Sequence, residues 1–525
     1  MRRAHDKEHV RQVLVAGPCA CLVVTFSILQ MLMSTSARGQ ELMGDALPAR
    51  AFEVKPRLSL SETWTNNVQA GNVVGSSDQI TEISPGVQIR AESSRLQAYL
   101  DYALNKLHYA QTKSSDRLQN SLNAFGTLEA IEKFLFIDVS ATIAQQSISA
   151  LGTQSVIESS INSNQTEVAN WRVSPRIQGR LANIVNYEAR WSRTLVDSKS
   201  DLRSGLGQTD WLARLSGDTP LQGLGWTLDS SRQTVGFTEG RTTEADLYLL
   251  GLGYLLTPQF SLSANIGVES SNYASEAKEN FTSRGLGFSW RPSDRTTLSG
   301  STDQRSFGRT HRLDLAHRTG RTAWKLSDAQ STSATPGQSL QGSIGSVYDI
   351  LFSQFASIEP NPTARAQLVN AYLQVNNLSP NTRVLTPFLS AAQTLSRQQD
   401  VLFALLGVRS TLTFIASQTK SQRLDTLSVA QDDYSTLTQI KQQGFSINFS
   451  HRLAPDMSMS VLGSMQKIGG TDGSSGERTS LLSLNLTQSL AKNATISSTW
   501  RHVKTHGASE PTRETALTFN INVLF

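Results

Sequence analysis

The sequence predicts an all-β fold: a transmembrane antiparallel outer-membrane β-barrel of about 22 strands (range 18–24), with a helical insertion in one long external loop. Three observations carry this. Side chains alternate between apolar and polar with period two along most of the chain. Short turns alternate with longer polar connections, the rhythm of a barrel that sends its hairpins back and forth across a bilayer. The last twelve residues form one apolar stripe that ends on Phe525.

The alternation is plain in successive segments. Over Arg95–Lys106, Leu96, Ala98, Leu100, Tyr102 and Leu104 share one parity, while Gln97, Asp101 and Asn105 share the other. In Phe134–Gln145 the apolar set is Leu135, Ile137, Val139, Ala141 and Ile143, opposite Asp138, Ser140 and Thr142. Tyr248 and Tyr254 flank Leu250 and Leu252 on one face. Six residues of strand rise put the two rings about 20 Å apart, near the height of an apolar band with aromatic rims. Over Phe260–Glu269, Leu262, Ala264, Ile266 and Val268 oppose Ser261, Ser263, Asn265 and Glu269. In Gly444–Ser450, Phe445, Ile447 and Phe449 oppose Ser446, Asn448 and Ser450. A helical period fits none of these segments. The strands are long, their wet faces carry Asp, Asn, Gln and Arg, and no repeat of 20–50 residues appears, which weighs against a sandwich or solenoid.

Short turns fall near Glu92–Ser94, Ile131–Lys133, Thr257–Gln259, Pro292–Asp294, Arg318–Gly320, Leu453–Asp456 and Ala491–Asn493. Longer connections such as Gln111–Asp116, Ala150–Asn164, Asp197–Gly207 and Gly469–Gly476 lie between them. Ten short turns plus two termini on one side give 22 strands. Between the strands near Arg321–Leu326 and Gln393–Leu406 the rhythm breaks for about sixty residues, well beyond an ordinary connection. Within this 332–390 insertion, Val347, Ile350, Leu351 and Phe355 have helical spacing, and Ala364, Leu368, Ala371 and Tyr372 suggest a second helix after Pro360 and Pro362. The insertion is either a lid or inward-folded constriction, or a helical hairpin resting on the rim.

Residues 1–39 read as an export signal. Arg2, Arg3, Lys7 and Arg11 form a basic head before the apolar stretch Cys19–Met33, followed by Ser34, Ser36, Ala37 and Gly39. Cleavage after Gly39 or after Ala37 fits. Removing 1–39 takes five basic and two acidic residues, so the net charge falls from +5 to +2, too small and too scattered for a nucleic-acid footprint. Both cysteines, Cys19 and Cys21, go with the leader, which excludes a disulfide scaffold, a cysteine-ligated metal and a cysteine nucleophile in the mature chain. Residues 40–50 are expected as a short periplasmic segment and 51–525 as the barrel. Since the first strand starts about a dozen residues after the cleavage site, no plug fits before the barrel, and receptor-type import is not expected.

In the final strand Leu517, Phe519, Ile521, Val523 and Phe525 alternate with Thr518, Asn520 and Asn522. Phe519, Ile521, Val523 and the terminal Phe525 resemble the signal read by the barrel-assembly machinery, and removing Phe525 is expected to reduce membrane assembly.

Catalytic and metal-binding groups are scarce. His311 and His317 share parity with Leu313 and Leu315, so they bracket a lipid-facing band as polar anchors; ligands six residues apart on one strand cannot meet on a metal. His502 and His506 have no carboxylate or further His beside them in sequence. There is no G-x-S-x-G elbow and no phosphate-binding glycine loop. No enzyme activity, cofactor or metal is expected.

Several stretches resemble the outer-membrane β-barrel proteins associated with PEP-CTERM/exosortase systems, a Gram-negative family linked to exopolysaccharide gene clusters. They are Ser61-Glu62-Thr63-Trp64-Thr65-Asn66-Asn67, Phe134-Leu135-Phe136-Ile137-Asp138 with Gln145-Gln146, His317-Arg318-Thr319-Gly320-Arg321-Thr322-Ala323-Trp324 and Leu351-Phe352-Ser353-Gln354-Phe355-Ala356. The resemblance runs from about residue 52 to the C-terminus and implies an outer-membrane barrel near polysaccharide or sorted-protein export. It supplies no catalytic residues.

Two functions follow. The first is a diffusion or export channel whose lumen is lined by the polar-parity residues Gln97, Asp101, Asn105, Asp138, Asn265, Glu269, Arg312 and Asp314. Mixed charge and many amides suit a hydrated neutral or mildly charged polymer. The second is a structural or docking barrel that binds exopolysaccharide or partner proteins through the Ala150–Asn164 and Asp197–Gly207 loops. The expected partners are outer-membrane lipid, the assembly machinery and exopolysaccharide or its export components, with no nucleic acid.

Overall fold

The computed structural model describes residues 52–155, 158–200, 205–238, 240–333, 385, 387–425, 427, 432–470, 476–491, 493–507 and 511–525. The leader at 1–39, the segment 40–50 and the helices expected within 345–377 lie outside the described residues. Alternating sequences become strands of 10 to 17 residues. In chain order these are β1 (Phe52–Thr65), β2 (Asp78–Glu92), β3 (Leu96–Tyr109), β4 (Arg117–Ile131), β5 (Leu135–Ser147), β6 (Gln165–Leu181), β7 (Val185–Ser198), β8 (Leu206–Asp218), β9 (Leu224–Phe237), β10 (Thr243–Thr257) and β11 (Phe260–Ser271). The second half holds β12 (Glu279–Ser293), β13 (Thr296–Arg305), β14 (Gly308–Arg318), β15 (Thr322–Ser333), β16 (Thr394–Leu406), β17 (Ser410–Arg423), β18 (Gln439–Ala454), β19 (Met457–Gly470), β20 (Glu477–Ala491), β21 (Ala494–His506) and β22 (Thr512–Leu524).

Each strand pairs antiparallel with the next, and β1 pairs with β22 from Arg57↔Leu524 to Thr65↔Ala516. Closure leaves no sheet edge, so the strands pair along continuous ladders, interrupted at Pro85 and Pro175, which have no amide proton to give. Across the seam Thr63 and Thr518 share a hydroxyl hydrogen bond of 2.9 Å on the inside, and Trp64 meets Phe519 edge-on at 5.9 Å on the outside. No helix among the described residues is long and apolar enough to cross a membrane.

Ten connections of two to five residues lie on one end together with the start of β1 and the end of β22. In the turn between β6 and β7 both Ala182 and Asn183 take positive φ, the twist a tight hairpin needs. The other eleven connections range from two residues (306–307) to sixty (334–393). Short turns mark the periplasmic end of such barrels and long loops the outer end.

The two faces differ as the alternation demands. Tyr248, Leu250, Leu252 and Tyr254 are 57%, 50%, 50% and 48% exposed on the outer wall. Leu286, Ile266, Leu484 and Ile521 continue the same belt. A soluble surface does not sustain an apolar patch that encircles the molecule, so lipid is what this belt faces. The fold is that of an outer-membrane β-barrel.

Candidate functional site: the barrel lumen

The inward positions of neighbouring strands are fixed by register. On β3, Gln97, Asp101 and Asn105 stand opposite Thr127, Asn123 and Gln119 of β4, all on the inner wall. Asp101 lies 2.7 Å from Arg57 of β1, and the Tyr99 hydroxyl donates to it at 3.4 Å. The Tyr99 ring stacks on Phe125 at 5.4 Å, and Phe125 remains 54% exposed although it points inward. Water therefore reaches an aromatic ledge inside the barrel. Asp138 accepts from Arg176 Nε at 3.1 Å and from Thr127 at 2.8 Å, with the guanidinium 4.4 Å over the Phe136 ring. Asn265 donates to Asp303 at 2.9 Å. Glu269 is fully buried and holds Arg305 through two bonds of 2.8 and 3.1 Å, with the Ser306 amide as a third donor. Arg312 and Asp314 pair at 2.6 Å, and Ser327 donates to the same carboxylate. All eight lumen residues read from the sequence face inward, and each carboxylate among them has an arginine. The arginine partners Arg57, Arg176 and Arg305 were not singled out in the sequence, because pairing across strands needs the register.

Between these pairs the inner wall is hydroxylic. Ser140, Thr142, Ser263 and Ser301 point inward and are exposed. The lumen wall here is thus polar, wetted and close to neutral in charge.

Nearer the loop end the inner wall changes character. Val168, Val196, Leu206, Val235 and Phe237, all inward on β6 to β9, form a buried cluster against Leu389. Leu389 belongs to the stretch 387–393 that precedes β16. Its amide donates to Ser147 O at 3.1 Å, and Phe388 forms a bridge with Ser147 at the end of β5. As β5 and β16 are eleven strands apart in a ring of 22, this stretch spans the mouth from wall to wall. Ala150, Phe388, Tyr434, Leu437, Ile440 and Ile468 form a second cluster there. Burial pushes the Tyr434 phenol well above its ordinary range, so the cluster stays uncharged.

Carboxylates fasten this arrangement. The connection between β17 and β18 holds a short helix, α1 (Asp433–Thr436), whose N-cap Asp432 accepts from the Tyr434 amide. Asp432 also accepts from Ser390 and the Ala391 amide, each at 3.2 Å. Asp433 turns to the β5–β6 connection and accepts from Ser149 and the Ala150 amide, each at 2.6 Å. Arg241, between β9 and β10, reaches the fully buried Asp425 at 3.1 Å and donates to the carbonyls of Asn272, Tyr273 and Ser275. Five connections, β5–β6, β9–β10, β11–β12, β15–β16 and β17–β18, are thereby joined at the mouth. Of the described residues in the 332–390 insertion, 387–390 belong to this closure; 334–384 and 386 lie outside the described residues.

The remaining sequence candidates sit on the outer wall. His317 bonds Thr296 at 2.8 Å, and His311 lies 3.1 Å from Asp328. Phe519, Ile521 and Val523 face outward on β22, and the Phe525 amide donates to Pro56 O at 2.8 Å. Asn66 and Asn67 brace the β1–β2 connection: Asn66 accepts from the Thr515 amide at 2.7 Å, and Asn67 donates to Asn72 O at 2.8 Å.

No protein-family model and no curated protein matches the sequence. Among solved structures the chain is similar to the FrpB iron transporter from Neisseria meningitidis, with TM-score 0.48, 9% identity and coverage of 90% of this chain and 82% of that one. It is also similar to the siderophore receptor PirA from Pseudomonas aeruginosa, with TM-score 0.42, 8% identity and coverage of 90% and 80%.

Proposed function

We propose that this barrel is a passage for a hydrated, neutral or weakly charged glycan, serving export linked to exopolysaccharide or to PEP-CTERM/exosortase systems. The leader at 1–39 delivers the chain to the outer membrane, and the connections across the mouth open during transport. The observation that carries the reading is the inner wall itself. Its charges neutralise one another in arginine–carboxylate pairs, and exposed hydroxyls lie between them beside the Tyr99–Phe125 ledge. Such a wall exchanges hydrogen bonds with sugar hydroxyls, offers a flat apolar face to a sugar ring, and leaves no net field to trap an ion. The family resemblance points the same way.

A second reading is favoured by the fastening at the mouth: a barrel whose loops dock polysaccharide or protein without conducting. Single-channel recording in planar bilayers separates the two. Discrete conductance that is blocked by added neutral oligosaccharide, and whose ion selectivity shifts on Asp101→Lys or Arg312→Glu, supports the passage. Silence from correctly folded protein, with or without the Asp432 and Asp433 carboxylates, supports docking and sinks the passage.

A further inference from the structure

The outer wall carries two kinds of charge above its apolar belt. On the arc from β6 to β12 the outward cations nearest the loops have acidic neighbours, while Arg193 and Arg284 further down stand opposite the apolar Val173 and Ile266. Lys199 meets Glu167 at 2.9 Å, Arg232 meets Glu244 at 3.1 Å, and Lys278 holds Glu244 and Asp246 at 2.6 and 2.7 Å. The arc from β17 to β22 is different. Its six strands contain two acidic residues, Glu477 and Glu514, and both take inward positions. Outward at the loop end stand Lys420, Lys441, Lys467, Arg478, Lys504 and Arg513, one per strand.

Register makes this arrangement costly. Lys420 is the direct partner of Lys441, Lys467 of Arg478, and Lys504 of Arg513. Like charges directly opposite one another destabilise a ladder. No described carboxylate lies within ion-pair reach of any of the six, whereas Lys199, Arg232 and Lys278, at the loop end of the other arc, are each paired. The cations also share a height. Lys441, Arg478, Lys504 and Arg513 each stand four residues beyond an outward apolar side chain, namely Phe445, Leu482, Trp500 and Leu517. Strand rise puts them about 13 Å or less above the hydrocarbon, at the depth of lipid headgroups. An anion that bridges two cations at this depth turns the repulsion into binding, and phosphate accepts from both Lys and Arg.

We propose that this basic arc binds a phosphorylated glycolipid of the leaflet at the loop end, its phosphates seated between the registered cation pairs and its acyl chains against Phe445, Ile447, Leu482 and Leu484. The site is independent of whatever passes through the lumen. The test uses the full chain refolded in detergent, with diphosphoryl lipid A and its dephosphorylated form as probes and native mass spectrometry as readout. Wild type should retain diphosphoryl lipid A through washing. Lys467→Gln/Arg478→Gln and Lys420→Gln/Lys441→Gln should each weaken its binding about tenfold, while Lys199→Gln on the other arc leaves it unchanged. Equal binding of the dephosphorylated lipid, undiminished binding by both double variants, or complete displacement by inorganic phosphate alone would overturn the proposal. Should either variant fail to fold by heat-modifiable mobility, wild-type binding at rising salt decides: affinity must fall, and a salt-insensitive complex overturns it.

Discussion

The inner wall is wet along most of its height and dry at the mouth, although one alternation rule builds both. On β9 the inward side chains run Thr227, Asp229, Ser231 and Gln233, and then switch to Val235 and Phe237 at the loop end. On β3 they run from Gln97 and Asp101 to Leu107 and Tyr109, the last two fully covered. Ion pairs follow the same division. Arg176 and Asp138 keep partial contact with water, whereas Asp425 has none and faces Arg241. Facing inward therefore does not fix polarity in a barrel this wide. What lies on top of the wall fixes it: water in one region, returning chain in the other.

That division is tested first where it predicts the most. Arg241→Ala removes the guanidinium that faces the buried Asp425 and ties it to the 272–275 carbonyls, and should cost the mouth about 3 kcal/mol or more, read as accelerated proteolysis within 424–438. Phe388→Ala opens a cavity between Tyr434 and Ile440 and should cost about 3 kcal/mol, measured by the same cleavage rate and by increased open conductance. Asp433→Ala removes two charge-assisted bonds to Ser149 and Ala150. A loss of about 2 kcal/mol is expected there, seen as faster hydrogen exchange at 148–154 while β-strand amides stay protected. Arg176→Gln, in the wet region, should change stability by about 1 kcal/mol or less and show itself in ion selectivity instead. If Arg176→Gln destabilises as much as Arg241→Ala, the contrast between the two regions is wrong.

The barrel was largely legible because period-two alternation, short turns and the terminal stripe all report the same geometry. Parity alone suffices to put Asp101, Asp138, Glu269 and Arg312 on the inner wall. It does not identify Arg57 as the partner of Asp101, since that pair skips over β2 and depends on the side-chain reach set by register. The dry mouth was hidden for another reason. Val235 and Phe237 read as breaks in a polar face unless one knows that Leu389, some 150 residues later, lands on them. The acidic pair Asp432-Asp433 carried a weak signal as a helix cap, but nothing in its neighbourhood indicates that the two carboxylates grip different connections. The cation arc was open to the same reading by parity, yet its meaning emerges only when Lys420 meets Lys441 across the ladder.

The seam between β1 and β22 sets a condition on biogenesis. Thr63 finds Thr518 only after the whole chain has been made and exported. Until then the first strand has one open edge and the growing sheet has another, each ready to pair with any extended neighbour. A polypeptide with such late closure must be kept apart from its own copies while it crosses the aqueous compartment, and its crossing of that space is the stage at which overproduction should first become toxic.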